Sequence, residues 1–151
     1  MKAIICCLLL IFAGSQLWAQ DQSAFDAYKV EVFEGPLADP DFETNPDARL
    51  FRTRIIETCE NEGINFAGHY TVVTFGCGTA CQGNYIVNRK TGAISYGLTS
   101  ELGVKTVAGS NLFIKNIAAQ SYSKEERESC SYCNITYWLW QDDSLVEIPK
   151  Q

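Results

Sequence analysis

The stretch His69-Tyr70-Thr71-Val72-Val73-Thr74-Phe75 decides the class of this fold. It is rich in β-branched and aromatic residues, the types that suit a pleated and partly buried surface, so it predicts a strand. Downstream, Tyr85 to Asn88 leads through Arg89-Lys90-Thr91-Gly92 into Ala93 to Tyr96, which reads as a hairpin with Gly92 at the left-handed turn position. Asn111 to Ile117 and Thr136 to Trp140 are further strand-like runs. The second of these turns at Asp142-Asp143 and returns through Leu145 to Ile148, giving another hairpin. Ser100 to Gly109 and Ala119 to Asn134 read as loops, the latter carrying the charged run Lys124 to Glu128.

Upstream, Tyr28 to Phe33 alternates as a half-buried strand would, until Gly35-Pro36 and Asp39-Pro40-Asp41 break it. A helix starts at Asn45-Pro46-Asp47, where Asn can cap free amides and Pro at the first helical position sacrifices none. Ala48, Phe51, Ile55 and Cys59 recur three or four apart, an apolar stripe for docking on a sheet, and Gly63 stops the helix. Arg49, Arg52 and Arg54 lie off that stripe. The class expected is α+β: a single antiparallel sheet of about five to seven strands, including two hairpins, with one N-terminal helix packed on it.

The chain of 151 residues begins with a basic residue, Lys2, an apolar run from Ala3 to Ala13 and a polar stretch that ends near Ala19. That order is the order of a secretory signal peptide, with cleavage expected after Ala19. The apolar run is much shorter than the roughly 20 residues that span a bilayer, so no stable membrane anchor is expected after cleavage. Residues 20–151 have the size of one domain, with a loose terminus over residues 20–26, and the expected location is periplasmic or secreted. The net charge of −6 becomes more negative once Lys2 leaves. Such a surface repels phosphate backbones and anionic lipid, which argues against nucleic acid as a partner.

Past the leader stand Cys59, Cys77, Cys81, Cys130 and Cys133. Outside the cytoplasm such thiols are more often oxidised than metal-bound, and an odd number leaves at least one out of any intramolecular pairing. Cys77 and Cys81 enclose three residues, with Gly76 and Gly78 letting the backbone curl, so a short disulfide is expected there. Closing so small a ring constrains the unfolded chain by only about 2 kcal/mol, so its use is to fix a loop that presents Thr79 and Gln82. Cys130-Ser131-Tyr132-Cys133 has the C-x-x-C spacing of redox dithiols without their βαβ context. It is expected to form a structural disulfide, within the pair or from one member to Cys59. A four-cysteine zinc site is the competing arrangement, disfavoured by an oxidising compartment, so no metal is expected. His69 and Cys77 would lie roughly 25 Å apart on an extended strand, too far for a base and its nucleophile. Trp138 and Trp140 alternate onto one face, either core or a ligand platform.

Asn65-Phe66-Ala67-Gly68-His69-Tyr70, followed by a strand and then Gly76-Cys77-Gly78-Thr79-Ala80-Cys81-Gln82, resembles a family of uncharacterised secreted bacterial proteins. Those proteins share an Asn-Phe-Ala-Gly-His/Lys-Tyr stretch and a Gly-Cys-Gly-Thr-x-Cys-Gln loop. The helix start Asn45 to Arg54, the turn Lys90-Thr91-Gly92 and the aromatic hairpin Tyr137 to Ile148 are similar as well. Phe75 stands where the family commonly has Trp, and Cys59, Cys130 and Cys133 fall outside its pattern. The resemblance implies a shared fold and carries no activity with it.

The sequence therefore points to a non-enzymatic binding or interaction module with no cofactor, whose partner is a protein or small ligand of the cell envelope. Its candidate binding residues are Arg52, Arg54, His69, Thr79 and Gln82, with no catalytic residue assigned. The alternative is a periplasmic enzyme, a thiol-disulfide oxidoreductase or a hydrolase.

Overall fold

The computed structural model describes residues 23–149; the leader expected over residues 1–19 lies outside them. In chain order come a 3₁₀ turn Pro46–Phe51 running into helix α1 (Arg52–Glu62), then strands β1 (Tyr70–Gly78), β2 (Cys81–Asn88) and β3 (Ile94–Tyr96). Strands β4 (Val104–Lys105) and β5 (Leu112–Lys115) follow, then a 3₁₀ turn Ile117–Ser121 and helix α2 (Lys124–Ser129). The chain closes with β6 (Thr136–Gln141) and β7 (Ser144–Ile148).

The class is α+β, but the strands form two antiparallel sheets instead of the single one expected: β1-β2-β3 and β4-β5-β6-β7. The reason lies in β1. Val73 and Phe75 point into a cluster with Ala48, Ile55 and Cys59 of the helical layer, while Tyr70 and Val72 point the other way, onto Phe113 and Trp140. A strand apolar on both faces needs a cover on each, and one helix supplies only one of them. The second sheet supplies the other. Its far face, Leu112 and Ile114, is covered by Phe25 and Tyr28.

The docking helix is not N-terminal, because residues 23–44 precede it and have packing duties of their own. Residues 23–26 are helical, and Phe25 is buried, so this part of the expected loose terminus is anchored. Tyr28 to Phe33 forms no strand. Lys29 makes an isolated bridge to Ser110, Val30 donates to the Gly109 carbonyl (3.0 Å) and Phe33 to that of Gly68 (2.7 Å). These partners sit in two different loops, so no continuous ladder can form along the segment.

Asn45 leaves the helix start uncapped by its side chain, and the first turn is 3₁₀ before α1 takes over. Gly63 ends α1 with φ +57°. The expected loop over Ala119 to Asn134 contains α2, whose start is a capping box: Ser123 accepts from the Glu126 amide and Glu126 accepts from the Ser123 amide. The Ser100 to Gly109 loop contains β4. In the β6–β7 hairpin Asp142 and Asp143 both take positive φ (49° and 55°), the conformation a two-residue turn between twisted strands requires.

Candidate functional site

Among the described residues the longest ladder runs into the stretch Gly76 to Gln82 expected as a loop. β1 and β2 pair from Tyr70↔Asn88 to Gly78↔Cys81, with a bulge between Gly76 and Gly78. The loop is thus the tip of a hairpin. Cys77 and Cys81 are bonded across it, Cα atoms 5.1 Å apart, and Thr79 and Ala80 stand exposed at the turn. Gly78 has φ +133°, a backbone that L side chains rarely adopt, which fits glycine at this corner.

Just behind the tip lies an open cleft of about 390 Å³, lined by Phe51, Arg54, Thr74, Phe75, Gly76 and Gln82. Its apolar wall follows from cross-strand packing. Phe75 lies opposite Gly83, and its ring covers the position a Gly83 Cβ would occupy, 2.3 Å away. That ring then meets Phe51 (centroids 3.9 Å) and stacks on Tyr85 (5.1 Å), which meets Tyr96 edge-on (5.4 Å). Burial, with the nearby Asp47 and Tyr96 adding to it, holds the Tyr85 phenol above its ordinary value. Leu50 and Tyr96 remain exposed, at 85% and 52%. Arg54 supplies charge to the same cleft and donates Nε to the Thr74 carbonyl at 3.3 Å.

The five candidate binding residues do not form one site. Arg54 and Gln82 share the cleft, and Thr79 is at the tip beside it. Arg52 faces away, its guanidinium 4.4 Å from the centre of the Phe42 ring. His69 precedes β1, at the other end from the disulfide, with its ring 4.2 Å from that of Tyr70. Tyr70 in turn donates to Asp143 Oδ1 at 2.8 Å, tying this end to the β6–β7 turn. Burial pulls the His69 imidazole below its ordinary range, Lys90 pushes it the same way, and Asp143 opposes both.

Cys130 and Cys133 are bonded to each other, with Cα atoms 5.4 Å apart, and Cys130 is the C-terminal cap of α2. A reactive C-x-x-C thiol sits at a helix start, where the dipole stabilises thiolate; a helix end works against it. Among the described residues Cys59 has no disulfide partner, and it is buried. Burial raises its thiol, although Arg89 pulls the other way. Arg89 is itself buried and donates Nη1 to the Cys59 carbonyl at 2.9 Å, which reads as a packing role for the pair. Trp140 is in the core between the sheets and Trp138 packs against it, so their shared face is core.

Sequence reasoning named Phe51, Thr74 and Asn65 but gave none of them a place in the site. Phe51 was legible only as a member of the helix stripe, and its position near the start of α1 is what turns it to the cleft. Asn65 reaches Val72, donating Nδ2 to its carbonyl (3.1 Å) and accepting from its amide (2.7 Å). No protein-family profile, curated protein or solved structure shows significant similarity to this chain.

Proposed function

We propose that this chain is a non-enzymatic interaction module, exported to the periplasm or beyond, that engages another protein of the cell envelope through its disulfide-closed hairpin tip and the adjoining cleft. The observation that carries the reading is convergence. A rigid tip presenting Thr79, the polar Gln82, the cation Arg54 and an aromatic wall from Phe51 to Tyr96 meet on one surface. Interfaces draw most of their energy from such aromatic and arginine anchors, with a polar rim around them.

Export is supported by the signal-like residues 1–19 and by two disulfides, which persist in oxidising compartments. Among the described residues no helix is long and apolar enough to cross a membrane. The resemblance to secreted bacterial proteins points the same way. Thiol-disulfide exchange gains no support from Cys130 at a helix end.

Capture of partners from periplasmic extract by the wild type and by the Thr79→Ala/Gln82→Ala and Arg54→Glu variants tests this. The variants are expected to lose the partner that the wild type retains, with unchanged melting. Equal recovery by all three proteins would remove the tip and cleft as the contact surface.

A further inference from the structure

In the three-stranded sheet β1 lies at the edge, so alternate residues turn their backbone groups away from β2. Which residues do so is fixed by the bonds already made. His69 turns its carbonyl to the Arg89 amide on the β2 side, whereas Val72 turns both its groups outward to the side chain of Asn65. Tyr70, Val72, Thr74 and Gly76 therefore form the outward set.

The first half of this edge is closed. Tyr70 bonds Phe66 and Asn65 through the backbone, and the Asn65 amide meets Val72 as a neighbouring strand would. The second half is not. Among the described residues, the Thr74 carbonyl is covered by Arg54 Nε, while the Thr74 amide and both groups of Gly76 have no ladder partner. A Cβ at Gly76 would meet nothing within 4 Å, so the face of the strand that borders the cleft is open there. Unpaired edge groups template the addition of another strand, and a side chain laid across them is one way a protein restrains that.

We propose that an extended, acidic segment of the partner adds as a strand to the Thr74–Gly76 edge, and that its carboxylate draws Arg54 off the Thr74 carbonyl to complete the ladder. The inference rests on the interaction reading above and names how the partner binds. Two observations select the occupant. Arg49 is ion-paired with Glu43 and Arg52 lies on Phe42, but Arg54 makes its hydrogen bond to a neutral carbonyl, which a carboxylate would outcompete. A second copy of this chain fits poorly. Antiparallel pairing of two such short edges about a twofold axis would set the two Arg54 guanidinia against each other. Once the edge is paired, alternate side chains of the added strand fall into the Phe51–Phe75 cleft, giving specificity where the backbone gives affinity.

The probe is a capped seven-residue peptide of alternating threonine and valine with a central glutamate. A second peptide carries lysine at the centre, and a third is the glutamate peptide N-methylated at alternate residues. Amide exchange and chemical shifts are followed at Thr74 and Gly76 during titration. Binding of the glutamate peptide is expected to slow exchange at both amides, to weaken about tenfold or more with the lysine peptide, and to vanish with the N-methylated one. Gly76→Pro, which removes an outward amide that the fold itself does not use, is expected to weaken it comparably. Absence of binding, shifts confined to other residues, or indifference to N-methylation overturns the proposal, and the N-methylated arm stands even if Gly76→Pro misfolds. The two readings separate in the capture assay. Loss of the partner on Thr79→Ala/Gln82→Ala but not on Gly76→Pro keeps the contact surface and rejects the added strand; retention by every variant rejects both.

Discussion

The two sheets solve the same problem to different depths. In the β1–β2 hairpin nearly every position from Tyr70 to Val87 outside the tip is buried, on one face by the helical layer and on the other by the second sheet. The second sheet grades outward instead. β5 is buried, β6 is mostly half-buried, and β7 is largely exposed, with Val146 46% open to solvent. The lesson is that burial is concentrated at the contact between the sheets and thins toward the last hairpin, while the proposed contact surface hangs from the end of the deeply buried β1–β2 ladder.

The largest effect should come from emptying the space between the sheets. Phe66 is fully buried there, with the rings of Phe113 and Trp140 at 5.8 and 5.9 Å. Phe66→Ala is expected to cost about 3–5 kcal/mol in urea unfolding, because lost burial is joined by a cavity that rigid neighbours cannot fill. Val146→Ala on β7 should cost well under 1 kcal/mol. Similar losses at the two positions would mean that the sheets are not graded as described.

Next in size is a polar pin at the end of β5. Asn116 has φ +60°, and its side chain ties two segments together: Oδ1 accepts from the amides of Glu101 (3.0 Å) and Leu102 (3.1 Å), while Nδ2 donates to the Tyr132 carbonyl (2.8 Å). Asn116→Ala leaves these groups unpaired and puts an alanine in a left-handed backbone, a combined cost of about 2–4 kcal/mol. Asn116→Gly should recover about 1 kcal/mol of that, which denaturant midpoints can resolve. Identical midpoints for the two variants would remove the backbone part of the explanation.

Much of this architecture was legible in the sequence and some of it was not, for reasons that particular residues show. The strands, the hairpin at Asp142-Asp143 and the helix stripe follow from local periodicity. Tyr70 to Phe75 also carried an unread message: a run with no strongly polar position on either face is a strand that needs two covers. The capping box from Ser123 to Glu126 marked α2 in the same local way, and was hidden by the charge of the segment. Tyr28 to Phe33 misled because alternation reports a half-buried extended chain and is silent about whether a neighbour offers it a ladder. In the candidate site, the tip was legible from Gly76, Cys77, Gly78 and Cys81. The cleft was not, because Phe51, Arg54 and Thr74 meet only through the docking of α1 on β1, which no local pattern encodes.

The two disulfides sharpen the contrast at a smaller scale. Each closes a short loop, so replacing either pair by serines is expected to cost no more than about 2 kcal/mol. Their consequences should differ in place. Without Cys77–Cys81, the amides of Thr79 and Gln82 at the end of the buried ladder should exchange faster while the core of β1 stays protected. Without Cys130–Cys133 the change should centre on α2, which buries no residue of its own, and on the approach to β6. Proton exchange that rises across the whole of β1 in the first variant would show the clamp holding the sheet as well as its tip.

The smallest effect concerns His69, where the central sheet meets the turn of the outer hairpin. Its pKa is lowered in the folded protein by burial first and by Lys90 second, with Asp143 opposing. The unfolded chain therefore binds the proton more readily than the folded one, and stability falls as pH drops below the ordinary histidine value of 6.5, levelling off once the folded imidazole is itself protonated. His69→Gln should flatten that part of the stability profile. Lys90→Ala removes one cause and should shrink the slope, whereas Asp143→Asn removes the opposing charge and should enlarge it, even though it also alters the bond from Tyr70. Opposite responses to these two substitutions are the signature of an imidazole held between a cation and a carboxylate; responses of the same sign would mean that the acid sensitivity arises elsewhere.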